Sequence, residues 1–311
     1  MDSLVAQALP KWGLEGAKTR LIAARENRVF RIDHPTGTYA LRLHRPDYRT
    51  DSQLDAELDW MAHLDRVGLS VPAPLASKAG AYLHHVAGTQ VDVLGWLDGQ
   101  TLDERLPSMA TQERAGLFYT LGQRMARLHA ASDAWPEGHG CDRPSWDCAG
   151  LLGEAPLWDR FWDNPALLAG QKQVLQAFRE RAADALRRLV GTLDYGLIHA
   201  DLVPGNVMVS GTKLHLIDFD DGGFGFRLFE LATGLLKHHG SADFEALQAA
   251  MINGYRSQRQ IDTSQLALFM ALRAVTYVGW NITRAHEDQT GARNARFIAK
   301  ALELVSRYLQ S

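Results

Sequence analysis

Four residues in one stretch of the chain could do chemistry together. His199, Asp201 and Asn206 are followed by Asp218, which ends the apolar run Leu214, Leu216, Ile217. A carboxylate such as Asp201 can accept the proton of an alcohol and aim its oxygen. The carboxamide of Asn206 and the carboxylate of Asp218 are hard oxygen donors that suit Mg²⁺ and leave room for phosphate oxygens and water. These are the parts that phosphoryl transfer needs, because the protein mainly positions the acceptor and neutralises charge. Asp201 is therefore the expected base, and Asn206 and Asp218 the expected metal-holding pair. His199 is expected to support the loop by hydrogen bonding, since Asp201 already fills the role of base. Asp220 and Asp221 stand next to Asp218 either as metal or substrate contacts or as solvated turn residues.

The order His-x-Asp-x-x-x-x-Asn, then a further Asp, is the spacing of a kinase catalytic loop and its magnesium aspartate. The same template has a strand cation, and Tyr39-Ala40-Leu41-Arg42 occupies that place with Arg instead of Lys. Arg binds phosphate through a planar fork, so charge pairing is kept while reach changes. Glu57, on the following helix, is the expected partner of Arg42, and the small Ala40 suits an adenine-facing position. No glycine lies in 23–28, so phosphate contact there falls to the side chains of Asn27, Arg25 or Arg28. Trp96 and Leu97 complete the expected nucleotide contacts. The chain contains no Gly-x-x-x-x-Gly-Lys-[Ser/Thr], which excludes a P-loop nucleoside triphosphatase.

Two kinds of element must position these groups. Segments 19–24 and 27–33 read as a hairpin, and 38–44 as a third strand after the turn His34-Pro35-Thr36-Gly37. Thr50-Asp51-Ser52-Gln53 has the form of a capping box. The helix it opens carries Leu54, Leu58, Met61, Leu64 and Val67 at helical spacing, with Gly68 at its end. Two short strands follow, 81–85 and 90–96. Beyond a hinge near 96–100 the pattern turns helical, with Thr111 opening one helix and another over about 171–190. A small hairpin, 206–209 with 214–217, carries the metal-holding pair. The expected organisation is α+β, with a small antiparallel-sheet lobe containing one helix over 1–97 and a larger, mainly helical lobe over 98–311. A nucleotide is expected at the junction of the two.

The whole-chain figures narrow the class. With 311 residues, 46% of them hydrophobic and 22% charged, the composition is that of an ordinary globular protein. A net charge of −3 offers no field for nucleic acid. No basic-then-apolar leader and no uninterrupted apolar run of about 18 residues is present, so neither secretion nor a membrane is expected. Cys141 and Cys148 lack a zinc-ligand pattern and are expected to be free thiols in a cytoplasmic protein.

On these residues the chain resembles the aminoglycoside phosphotransferase and choline kinase superfamily. Ile198-His199-Ala200-Asp201-Leu202 with Asn206-Val207-Met208 is similar to its catalytic block. Ile217-Asp218-Phe219-Asp220-Asp221-Gly222 with Glu230-Leu231-Ala232 is similar to its metal block. The phrases Glu26-Asn27-Arg28-Val29-Phe30 and Ala40-Leu41-Arg42-Leu43-His44-Arg45-Pro46 look like the branch holding type II homoserine kinases and stress-response kinase A. Ala200 stands where Gly is frequent in that family, and Glu230 where Asp is frequent. The resemblance implies a bilobal protein-kinase-like fold, ATP and Mg²⁺ as cofactors, and a small-molecule hydroxyl such as an amino alcohol, homoserine or an aminoglycoside as acceptor. Two alternatives stay open: a protein Ser/Thr kinase of the stress-response type and a nucleotide-binding pseudokinase. Acceptor specificity is expected in 133–156 and around Trp280, Arg284, His286 and Glu287. Oligomeric state is not readable.

Overall fold

The structure, a computed structural model, describes residues 2–24 and 27–310. Arg25, one of the expected phosphate contacts, and Glu26 lie outside the described residues. In chain order the elements are α1 (Ser3–Trp12), β1 (Lys18–Ala24), β2 (Arg28–His34), β3 (Gly37–Leu43), α2 (Asp51–Arg66), β4 (His84–Val86), β5 (Thr89–Gly95), β6 (Gln100–Thr101), α3 (Leu102–Arg105) and α4 (Thr111–Asp133). They continue with β7 (Ser145–Trp146), α5 (Cys148–Leu152), α6 (Ala169–Leu189), β8 (Tyr195–Ile198), β9 (Val207–Ser210), β10 (Lys213–Leu216), β11 (Gly223–Phe226), α7 (Arg227–Leu236), α8 (Phe244–Arg256), α9 (Leu266–Thr283) and α10 (Ala292–Gln310). The chain divides into two compact units, Met1–Arg105 with Ala131–Arg143 and Gly205–Asp220, and Leu106–Ala130 with Pro144–Pro204 and Asp221–Ser311.

The first unit is built on an antiparallel sheet in the order β1-β2-β3-β5-β4. Strand alternation sorts its two faces. Leu41, Leu43, Val91 and Val93 form one core with Val5, Ala8, Leu9 and Trp12 of α1. That helix was not anticipated from the sequence; its Pro10 sits inside the last turn and Asp2 caps its start. On the opposite face the intervening residues Arg42 and Asp92 stand directly across from each other in the ladder. There α2 brings Glu57 from a helix whose Leu54, Leu58, Met61 and Leu64 are buried. The expected capping box is formed, with the Thr50 hydroxyl accepting from Gln53 N and the Gln53 side chain from Thr50 N. Strands β9 and β10 form the expected hairpin and pair with β6 in a second, three-stranded sheet.

The second unit surrounds the short sheet β7-β11-β8 with helices. Helix α7 is buried along its whole length. Helix α9 is long and apolar enough to cross a membrane, but 72% of it is buried inside the protein, which makes it a core helix. Arg273 is the one charged residue of α9 and is fully buried, so it must find partners inside.

Candidate active site

In the second unit, β8 delivers the loop that carries His199 and Asp201. Ala200 has φ +65, a left-handed conformation that an L side chain rarely adopts and that needs external support. Glu230 of α7 supplies it. One carboxyl oxygen accepts from His199 N at 2.9 Å and the other from Ala200 N at 2.7 Å. Glu230 is fully buried, and that burial pushes its carboxyl up to about 7 against the two N–H bonds and the charges of Arg227 and Arg273. The longer side chain at this position therefore does support the loop. His199 is itself buried, and Asp201 N donates to its Nδ1 at 3.4 Å.

Asp201 keeps 22% of its side chain exposed and forms an ion pair with Arg273 Nη2. The same nitrogen donates to Tyr277 Oη at 3.0 Å. The guanidinium lies over the rings of Trp158 at 4.6 Å and Tyr277 at 4.5 Å, with Phe229 at 5.4 Å. Among the described residues Arg273 Nε and Nη1 meet no hydrogen-bond acceptor, and the aromatic faces receive that part of the cation. Asp221 borders the same group, accepting from Trp158 Nε1 at 3.4 Å through its carboxylate and from Trp146 Nε1 at 2.9 Å through its carbonyl. Trp280 is half-buried and stacked by Arg284 and Arg293, whereas His286 and Glu287 are exposed on a short helical turn.

Asn206 and Asp218, the pair expected to hold a metal, belong to the first unit. The hairpin closes with Ile217 N donating to Asn206 O at 3.0 Å, which brings Asn206 and Asp218 to the same end of β9 and β10. Asp218 is exposed and has φ +69. Among the described residues no group of three or more His, Cys, Asp or Glu forms a cage for a metal. A carboxamide and a carboxylate without a cage fit Mg²⁺, which takes one or two protein oxygens and completes its shell with phosphate and water. Asp220 is buried, not solvated, and Arg49 Nη2 donates to its carbonyl at 3.0 Å.

The strand cation sits in a buried network in the same unit. Arg42 Nε and Nη2 donate to the two oxygens of Asp92 at 2.8 and 2.7 Å, and Nη1 donates to Glu57 at 2.8 Å. Of the five guanidinium hydrogens, these bonds leave one on each Nη. Asp92 also meets His44 Nε2 at 2.7 Å. Burial alone would raise the Asp92 carboxyl, but the Arg42 charge, then His44, hold it well below the usual carboxylate range. Glu57 follows the same balance: burial opposes ionisation, and Arg42 and Arg143 restore it. Ala40 is half-buried on β3 between Arg31 and Leu94. Asn27 accepts from Arg45 N at 3.2 Å. Trp96 packs under the Arg31 guanidinium at 4.9 Å and donates to Asp98 at 3.0 Å; Leu97 beside it is half-buried. Asp92, Arg143 and Arg273 were not singled out from the sequence. Two of them carried a signal, since Asp92 and Arg273 are lone charges in apolar elements.

Comparison with known proteins agrees with this geometry. The model of the phosphotransferase enzyme family matches residues 18–269. An amicoumacin kinase of Bacillus subtilis is 24% identical over 89% of this chain and 84% of its own length. A homoserine kinase of Allorhizobium ampelinum is 28% identical over 88% and 82%. The solved structure of a microcompartment-associated aminopropanol kinase superposes with a TM-score of 0.85 at 27% identity, covering 99% of this chain and 97% of that one. With its family model matched over most of its length, the chain belongs to the phosphotransferase enzyme family.

Proposed function

We propose that the protein transfers the γ-phosphate of ATP to a hydroxyl of a small molecule, with amino alcohols and homoserine-like acceptors as the first class. The observation that carries this reading is the state of Asp201. It stands on a loop fixed by Glu230, is paired with Arg273, and still keeps part of its side chain exposed. In this reading Asp201 accepts the proton of the acceptor hydroxyl as its oxygen attacks the γ-phosphorus and ADP leaves. Asn206 and Asp218 hold Mg²⁺, which when bound supplies positive charge to the phosphate oxygens. Arg42 keeps one hydrogen on each Nη for phosphate while Glu57 and Asp92 fix its direction. Ala40, Asn27, Trp96 and Leu97 are the remaining nucleotide contacts, and His199 supports the loop. Relatives named for amicoumacin and homoserine, and a neighbour named for aminopropanol, support an acceptor bearing both hydroxyl and amine. Asp221, beside Asp201 on the same unit, supplies a second negative charge for such an amine.

A small acceptor is favoured over a protein by one feature of the second unit. Strand β11 ends at Phe226 and α7 begins at Arg227, so no long segment is available there as a peptide platform. The two free cysteines suit a cytoplasmic location. The test is ADP release with ATP and Mg²⁺ over a panel of amino alcohols, homoserine, choline, sugars and aminoglycosides. Acceptor-dependent release is expected, lost at least 1,000-fold in Asp201→Asn, on the order of the loss from removing a general base together with its positioning. Release that survives in Asp201→Asn would overturn the assignment.

A further inference from the structure

Arg143 has no place in the chemistry described above, yet its guanidinium makes four hydrogen bonds within the first unit. Its side chain is fully buried. Nη1 donates to Glu57 at 3.1 Å and to Gln53 O at 3.0 Å, both on α2. Nη2 donates to Phe219 O at 2.9 Å and to Asp220 O at 2.7 Å. Those two carbonyls follow Asp218 directly in the chain. Asp218 holds a left-handed backbone, φ +69, which persists only where the surroundings over-determine it. The buried Phe219 ring, edge-on to Trp60 at 5.2 Å, pins one side of that turn. Arg143 pins the backbone itself.

We propose that Arg143 is a positioning residue for the metal-holding turn, locking the carbonyls after Asp218 to Glu57 of α2 and so joining Asp218 to the Arg42–Glu57–Asp92 network. Glu57 then stands between two guanidiniums, one fixing the strand cation and the other fixing the metal turn. The nucleotide-facing parts of this unit are thereby assembled in the resting protein, with no separate step needed to bring α2 to the turn. Arginine suits the site because two acceptors meet Nη1 and two others meet Nη2; the single nitrogen of a lysine has three hydrogens and cannot serve all four. The inference rests on the assignment of Asp218 as a metal ligand.

The test uses the full chain and Mn²⁺ as the probe metal, with calorimetric binding in the presence of ADP and ADP binding in chelator as the reference. Arg143→Lys keeps the buried charge opposite Glu57; Arg143→Met removes it. Arg143→Lys, which keeps the charge on Glu57, is expected to bind metal-free ADP within about twofold of the natural protein. Both variants are expected to lose ten- to hundredfold in Mn²⁺ affinity, the scale of losing a group that orients a metal ligand. The KM for the acceptor should stay within about twofold. Mn²⁺ affinity unchanged in Arg143→Lys overturns the inference. If Arg143→Met fails to fold, the lysine variant alone decides, with its dichroism spectrum checked first. Asp218→Asn separates the two readings: unchanged Mn²⁺ affinity in that variant overturns the metal assignment, whereas loss there with none in Arg143→Lys overturns only the role of Arg143.

Discussion

Glu230 makes the stability of the helical unit depend on pH in an unusual direction. Its carboxyl is raised from 4.5 to about 7 by burial, with the N–H bonds of His199 and Ala200 and the charges of Arg227 and Arg273 opposing the rise. A group whose folded value lies above its unfolded value favours folding while it is protonated. Its contribution is complete below pH 4.5 and is lost as the pH climbs through 7. The shift corresponds to about 3 kcal/mol in all, at ~1.4 kcal/mol per unit. Between pH 5.5 and 8.0 the part lost is about 2 kcal/mol. Glu230 faces His129, whose Nε2 lies 3.6 Å from its carboxyl and whose ring burial keeps neutral, together with Arg227 and Arg273. None of these neighbours is expected to change charge in that interval.

The assay is urea unfolding of the natural protein and Glu230→Gln at half-unit steps from pH 5.5 to 8.0. Other titrating groups cancel in the difference between the two. The stability advantage of Glu230 over Gln should shrink by about 2 kcal/mol across the series. Gln should also carry a constant penalty of ~1–3 kcal/mol, because its NH₂ must face one of two backbone N–H groups that need acceptors. An advantage that stays flat, or grows with pH, would refute the reasoning: it would mean that the two N–H bonds, not burial, decide the ionisation of Glu230.

Three further outcomes follow from the packing of the same unit. Arg273→Met should lower turnover on the order of 100-fold with nucleotide affinity unchanged, since Asp201 loses the cation that aims it; steady-state kinetics with nucleotide and acceptor varied separately would show this. Gly254→Ala should destabilise the protein by ~1–3 kcal/mol or prevent folding, because a Cβ there would lie 1.9 Å from the Tyr119 carbonyl oxygen. Gly116→Ala, on the open side of α4, meets nothing within 4 Å and should stabilise by up to ~1 kcal/mol, read from the same denaturation curves.

What could be read from the sequence was what local chemistry decides. The capping box at Thr50 and Gln53 needs only residues three apart, and the hairpin bearing Asn206 and Asp218 needs only its own alternation. Asp201, Asn206 and Asp218 stand out because a template of spacing exists for them. Helix α1 escaped because Pro10 interrupts a short amphipathic pattern whose apolar face has meaning only against the sheet. Arg143 escaped for a stronger reason: its four acceptors come from α2 and from a turn some 76 residues further along the chain, and no local pattern encodes that meeting. The lone charges were a different case. Asp92 in the run Val91–Leu94 and Arg273 in α9 each announce a buried charge that must be paired, although neither names its partner.

Arg42 shows how the two kinds of information combine. On the sequence it is a strand cation with Arg where a kinase template has Lys, and the natural reading concerns the phosphates. The structure gives the substitution a second reason. Three of its N–H groups are bound by carboxylates on two different elements, Asp92 on β5 and Glu57 on α2. A lysine nitrogen at this site could not make the bidentate bond to Asp92 and still reach Glu57. Glu57, in turn, shares its charge with Arg143, so the template pair has become the centre of a chain of alternating charges. Replacing Arg42 by Lys would therefore disturb more than phosphate contact. It would leave Asp92 buried with half its partners removed, which makes stability as well as nucleotide affinity the quantity to follow in that variant.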